Sequence, residues 1–244
     1  MITEELVKIM NIDSTSGKEV ELARYIADNC HVPGAILEIQ DVGDGSINLF
    51  YRWGKPEIIF CTHLDTVPPY IEPVTGNGRV SGRGACDAKG QIITALNVCR
   101  DLFNEGETNF GLLLVSGEET GSKGAKVANN LVKGCKYVII GEPTENKLIK
   151  AGKGIQLYDV QIRGVSCHSG YPQLGDDAIE RMRQFLNRLA AADFPSDPVL
   201  GPTTFNIGQL SSDNAYNVLP DLVSFKIYFR TTPASSDLIE NILE

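Results

Sequence analysis

The chain has 244 residues, with 22 Lys and Arg against 31 Asp and Glu, for a formal net charge of −9. Hydrophobic residues make up 42% and charged residues 22%, an ordinary globular composition that excludes disorder, coiled coil and collagen. The acidic balance argues against nucleic acid or an anionic membrane surface as partner. No apolar run approaches the ~20 residues of a membrane-spanning helix. The opening segment carries Glu4 and Glu5 and has no apolar signal core. The cysteines at 30, 61, 86, 99, 135 and 167 are scattered without a C-x-x-C pair and read as reduced thiols of a cytoplasmic protein.

In chain order, Ser16-Gly17-Lys18-Glu19 has the spacing of a capping box, with Ser16 as cap and Glu19 three positions on. Val20, Ala23, Ile26 and Ala27 then make a helical stripe. Strands are expected at 35–39 and 47–51, joined by a Gly43-Asp44-Gly45 turn. Apolar runs at 58–61, 111–115 and 137–140 each read as a buried strand. Helices are expected at 89–103, with Ile92, Leu96, Cys99 and Phe103 on one face, and at 124–132. Strands alternating with helices predict an α/β sheet whose ligands bind beyond the carboxyl ends of the strands.

Near Lys150 the pattern changes. Strands are expected at 155–163, 203–210 and 222–230, helices at 176–192 and after Ser235. Ile179, Met182, Phe185, Leu186 and Leu189 mark the apolar face of the first of these helices. The order β-α-β-β-α is that of a split βαβ, ferredoxin-like unit whose last strand is missing.

The strand ends collect His63, Asp65, Asp87, Glu118, Glu119 and Glu142. Carboxylates gathered without a cation repel one another and take raised pKa values, whereas a divalent metal keeps them ionised. A histidine among oxygen ligands suits zinc, with manganese or cobalt as substitutes. His63 and Asp65 point to the same side of an extended strand, so Asp65 can accept the free ring N–H of a metal-bound His63. Glu118 and Glu119 are adjacent and diverge at a strand end, leaving one for metal and one for protons. The glycine pattern matches neither a Walker loop nor a dinucleotide fingerprint, which rejects a phosphate loop.

His63-Leu64-Asp65-Thr66-Val67-Pro68, Gly82-Arg83-Gly84-Ala85-Cys86-Asp87-Ala88-Lys89-Gly90, Gly117-Glu118-Glu119 and Gly141-Glu142-Pro143 follow one another in order. Together they resemble the acetylornithine deacetylase, succinyl-diaminopimelate desuccinylase and aminoacylase family of co-catalytic zinc hydrolases, over essentially the whole chain. The resemblance implies a zinc-exopeptidase-like α/β domain with a mixed sheet and helices on both faces, here 1–152, and a lid and dimerisation domain at 153–244. It implies that His63 and Glu142 hold one zinc, that Asp87 bridges to a second and that Glu119 binds that second one. Glu118 is then the general base and Asp65 orients His63. The bond after the bridging aspartate is often cis in that family.

In the lid, Ser166-Cys167-His168-Ser169-Gly170 matches the family's histidine motif, and that histidine reaches a partner's active site in several members. Asn217-Val218-Leu219-Pro220 and Arg230 match contacts to a substrate carboxylate. Gly152-Lys153-Gly154, with Lys153 as a substrate contact, is similar to the acetylornithine and acetyl-lysine deacetylases. The implied activity is hydrolysis of an N-acyl amino acid, of N-acetylornithine type, by a homodimer. A desuccinylase, dipeptidase or carboxypeptidase is the alternative. Family members continue into a C-terminal return to the catalytic domain that carries a further histidine ligand. The histidines here are His31, His63 and His168. A non-catalytic dimerising fragment is therefore the rival from another class, and the chain alone is expected to hold at most one zinc tightly.

Overall fold

The computed structural model describes residues 2–243, which divide into two units, Met1–Lys147 and Leu148–Glu244. In the first unit, helices α1 (Ile2–Met10) and α2 (Val20–Asn29) precede the hairpin β1 (Ile36–Gly43) and β2 (Ser46–Arg52). Then come β3 (Ile58–His63), the small hairpin β4 (Val74–Gly76) and β5 (Arg79–Ser81), α3 (Lys89–Asn104), β6 (Phe110–Val115), α4 (Lys123–Ala128) and β7 (Tyr137–Ile140).

The main sheet has the order β1-β2-β6-β3-β7. β6, β3 and β7 are parallel, and β2 joins β6 antiparallel. The sheet is thus mixed, with a parallel half whose carboxyl ends share one edge. β6 is buried at every position, as its unbroken apolar sequence demands of a central strand. Leu112 and Leu114 pack into a core with Leu22 and Ile26 of α2 and Ile92, Leu96 and Cys99 of α3. Leu113 and Val115 point the other way, into a smaller cluster with Phe50, Ile59 and Ala128 of α4. Helices therefore cover both faces, more heavily on the first.

Several expectations need correction. Ser16 and Glu19 do not form a capping box: α2 begins at Val20 with Glu19 at its N-cap and no side-chain cap bond. Both side chains are engaged elsewhere, Ser16 with Asp65 and Glu19 with Gly17 N–H and Ser46. The strand at 137–140 is present but not buried. Tyr137, Val138, Ile139 and Ile140 are 42–66% exposed, because β7 is an edge strand paired only with β3 among the described residues. Helix α4 stops at Ala128 rather than continuing to 132; turns follow, and Gly134 has φ +90°. Phe103 lies 38% exposed at the rim of α3 instead of in its core stripe.

The second unit comprises β8 (Gly154–Arg163), a 3-10 turn at Pro172–Leu174, α5 (Ala178–Ala190), β9 (Thr204–Ser211), β10 (Leu222–Thr231) and α6 (Ser236–Leu243). The antiparallel sheet runs β8-β10-β9, the split order of a ferredoxin-like unit without its last strand. Alternation in β10 holds through its length: Val223, Phe225, Ile227 and Phe229 are at most 2% exposed and pack on Ala178, Met182, Phe185 and Leu189 of α5. Ile179, expected on that face, is 41% exposed. Asp177 caps α5 through the N–H groups of Ile179 and Glu180. All six cysteines are free, and no described helix is long and apolar enough to cross a membrane.

Candidate metal centre

His63 is the last residue of β3 and is 2% exposed. Its Nδ1 lies 2.9 Å from the Asp65 carbonyl and 3.6 Å from the Asp65 carboxylate. The ring is thus held chiefly by the main chain of Asp65. That differs from the carboxylate contact expected from the H-x-D spacing. Nε2 faces the opposite way, 2.9 Å from Asp87 and 3.8 Å from Glu142.

Asp87 arrives on the glycine-rich loop before α3, and its bond to Ala88 is cis. That loop folds tightly onto the helix start: a Cβ on Gly90 would sit 2.4 Å from the Ala85 carbonyl. Lys89 is 1% exposed and donates to the Ile12 carbonyl at 2.6 Å, and burial pushes its ammonium down to about 8. Glu142 follows β7. Thr62 Oγ1 donates to the Gly141 carbonyl and Gly141 N–H to the Cys61 carbonyl, which fix the turn that presents it.

Glu118 and Glu119 do not diverge. Beyond β6 the chain leaves extended geometry, with Gly117 at φ +67°, and both backbone N–H groups turn onto one acceptor. Glu118 N–H donates to Asp65 Oδ1 at 2.9 Å and Glu119 N–H to Oδ2 at 3.2 Å. Asp65 is fully buried and also accepts from Ser16 Oγ at 2.8 Å. Burial opposes its charge, but the bonds from His63, Glu118 N–H and Ser16 hold its carboxyl below the usual range. Asn48 braces the base of the same turn. It accepts from Ser116 N–H at 3.0 Å and donates to the Gly124 carbonyl at 2.9 Å.

His63, Asp87 and Glu142 each offer one ligand atom, all within 4.8 Å of one another, and so do His63, Glu118 and Glu119. The surroundings oppose charge on two of these carboxyls. Glu119 is raised by burial and by the neighbouring charges of Asp87, Glu118 and Asp65; Glu142 is raised by burial and by Asp87, Glu118 and Glu119. Burial alone would lower His63, yet the Asp65 bond and the carboxylates around it carry it up to about 9. One imidazole among carboxylate oxygens is a donor set that fits zinc, manganese or cobalt.

In the second unit, His168 and Asn217 come together. His168 bridges Val218, Ser169 N–H donates to the Asn217 carbonyl, and His168 Nδ1 accepts Gly170 N–H at 3.0 Å. Arg230 lies elsewhere. It pairs with Ile155 and Thr204 and donates to Tyr228 Oη at 3.3 Å. Leu222 and Arg230 are eight residues apart on β10, roughly 27 Å at ~3.4 Å per residue. Lys153, beside Gly154 at the Arg230 end, gives its ammonium to the Pro202 carbonyl. Asn217 precedes the Leu222 end of β10, and Arg230 stands near its other end.

Sequence reasoning did not assign Ser16, Asn48 or Lys89 to the site. The signals were a polar Asn48 inside the apolar run of β2, a lysine within the glycine-rich motif, and a Ser-Gly-Lys-Glu pattern that also suits a helix cap.

A parallel sheet edge thus gathers one histidine and five carboxylates, and a split βαβ unit follows it in the chain. Residues 151–243 match the M20 peptidase dimerisation domain. A peptidase M20 domain-containing protein of Schizosaccharomyces pombe is 34% identical over 232 residues, covering 91% of this chain and 58% of its own length. A probable carboxypeptidase of Aspergillus flavus is 32% identical over 268 residues, covering 96% and 62%. Among solved structures, a tripeptidase from Staphylococcus aureus matches with a TM-score of 0.80 at 20% identity, over 100% of this chain and 70% of that one. An M20 metallo-carboxypeptidase from Sulfolobus solfataricus matches at 0.67 and 15%, over 99% and 74%. The chain is thus similar to M20 peptidases, and it spans about 60% of the length of the curated relatives it matches.

Proposed function

We infer that the protein is the metal-binding and dimerising part of an M20-type hydrolase that cleaves an amide bond. The observation that carries this is the convergence of His63, Asp87, Glu142, Glu118 and Glu119 at one sheet edge. His63, Asp87 and Glu142 hold the first divalent ion, with Asp87 and Glu119 toward a second. The metal-binding part spans 1–152 and the lid 153–244. A bound divalent ion supplies Lewis acidity, polarising the scissile carbonyl and making water acidic near neutral pH.

The protein's own groups do the rest. Glu118 takes a proton from the attacking water and hands it to the leaving amine. Asp65 fixes the turn that carries Glu118. His168 stabilises the oxyanion as a donor. Its Nδ1 is taken by the Gly170 N–H, which leaves the proton of the neutral ring on Nε2. Substrate contacts come from Asn217, Arg230 and Lys153. In the homodimer, His168 and Asn217 serve a substrate held by the partner subunit.

The substrate is a small amide bearing a free carboxylate. Names of relatives favour peptide substrates of the carboxypeptidase or dipeptidase type. The 82–90 loop and Gly152-Lys153-Gly154 favour the second reading, an N-acyl amino acid such as N-acetylornithine. Zinc titration of the chain tests the centre, and hydrolysis of dipeptides against N-acetylornithine by the full-length protein tests the substrate. No zinc uptake by the folded chain refutes the centre. Full-length protein that cleaves neither class refutes the activity.

A further inference from the structure

The Ser-Gly-Lys-Glu motif that does not cap α2 has another use. Ser16 Oγ donates to Asp65 Oδ2 at 2.8 Å, and Asp65 holds the N–H groups of Glu118 and Glu119. The loop carrying Ser16 is fastened on both sides. Ser16 N–H donates to the Thr66 carbonyl at 3.0 Å, Thr66 N–H donates to the Ser14 carbonyl at 2.9 Å, and Thr15 bridges Thr66 in parallel. Glu19 is fully buried and closes the bracket, accepting from Gly17 N–H at 2.6 Å and from Ser46 Oγ at 3.1 Å. Gly17 makes the turn possible with φ +94°, which an L side chain rarely adopts. A run of hydrogen bonds therefore leads from the start of β2, through the 14–19 loop, to the two adjacent glutamates of the site.

We propose that Ser16 is a positioning residue for the metal centre. Its hydroxyl fixes the rotamer of Asp65, and through Asp65 it sets where Glu118 and Glu119 stand relative to His63. Among the described residues, Ser16 is the only side chain within 3.5 Å that donates to the Asp65 carboxylate; the other two such donors are main-chain N–H groups. Without it, Oδ2 keeps only the longer bond, 3.2 Å from Glu119 N. The role rests on the metal-centre reading given above, but the hydrogen-bond relay beneath it can be read without metal.

The experiment compares the chain with Ser16→Ala and Ser16→Thr by cobalt(II) titration, the visible cobalt spectrum, and hydrogen exchange at the Glu118 and Glu119 amides in metal-free protein. Removing a group that orients metal ligands typically weakens affinity ~10–100-fold. Ser16 acts one step further out, so about tenfold weaker cobalt binding is expected for Ser16→Ala, with an altered spectrum and amide exchange several-fold faster. Ser16→Thr keeps the hydroxyl and should return all three to near the parent values. A Ser16→Ala protein with the parent spectrum, affinity and exchange overturns the proposal. So does equal weakening by Ala and Thr, since the hydroxyl is then not the cause. If the parent chain takes up no cobalt, the metal-centre reading fails, and amide exchange alone decides the positioning role: parent-like exchange in Ser16→Ala overturns it. Should Ser16→Ala not fold, Ser46→Ala removes one bond from the same bracket. A smaller effect of the same sign is expected there, and none at all overturns the proposal.

Discussion

Asp65→Asn changes one atom of a fully buried side chain whose surroundings are all donors. Oδ1 accepts Glu118 N–H at 2.9 Å, and Oδ2 accepts Ser16 Oγ at 2.8 Å and Glu119 N–H at 3.2 Å. An asparagine amide has one acceptor and one NH2 group. Whichever way it turns, its NH2 meets a backbone N–H, and that N–H loses its acceptor. If the NH2 replaces Oδ2, the Ser16 hydroxyl can reverse and accept, but Glu119 N–H cannot. An unsatisfied buried donor costs about 1–3 kcal/mol, and the surviving bonds lose their charge assistance. A total of about 2–4 kcal/mol follows. At ~2–4 °C per kcal/mol for a chain of this size, the first unit should melt roughly 5–15 °C lower. Zinc affinity should fall ~10–100-fold, because the 118–119 turn that places both glutamates loses its support. Differential scanning calorimetry and calorimetric zinc titration measure the two effects. An Asp65→Asn protein that melts within 1 °C of the parent and binds zinc within about threefold would refute the assignment of Asp65 as the organiser of this turn.

Three further outcomes are expected. His63→Ala should abolish tight zinc binding, a loss beyond ~100-fold, because both candidate ligand groups include His63; stoichiometric zinc in the variant by elemental analysis would refute it. Gly124→Ala should destabilise the first unit by about 2 kcal/mol or more in urea unfolding, since its Cβ would meet the Ser116 carbonyl at 2.4 Å and Asn48 Oδ1 at 2.6 Å; an unchanged midpoint would show that the clamp is loose. His168→Ala, tested in the full-length protein, should leave zinc affinity unchanged yet lower kcat by ~10²–10³-fold if its ring donates to the oxyanion; a loss seen only in KM would assign it to ground-state binding instead.

The sequence made the parallel half of the main sheet legible because each apolar run is short, unbroken and followed by an acid or imidazole. It made the second unit legible because β10 alternates at every position and α5 repeats at helical spacing. What it hid were choices between partners. Ser16 and Glu19 have the spacing of a helix cap, and only the folded chain shows that a buried carboxylate 49 positions away competes for the serine hydroxyl. Glu118 and Glu119 diverge in an extended chain but not in a turn closed by Gly117. Tyr137 to Ile140 read as buried because composition reports hydrophobicity, whereas exposure depends on what lies beside the strand. That Asn217 precedes β10 while Arg230 stands near its far end follows from the extent of that strand, which no motif encodes.

Strand β7 leads to Glu142, one of the three residues of the candidate His63 group, yet among the described residues it hydrogen-bonds to a single neighbour and all four of its residues are exposed. Few buried apolar contacts give a segment a low local opening free energy. The two other residues of that group are placed by elements anchored in the larger core: His63 by β3, and Asp87 by the loop that runs into α3. The proposed metal centre therefore joins two preorganised donors to one that must be captured. An ion that binds only the closed strand stabilises it in proportion to its concentration over its dissociation constant. Ligation and local folding of β7 become one equilibrium, so amide protection at Val138, Ile139 and Ile140 should rise with added zinc while protection in β6 stays where it was.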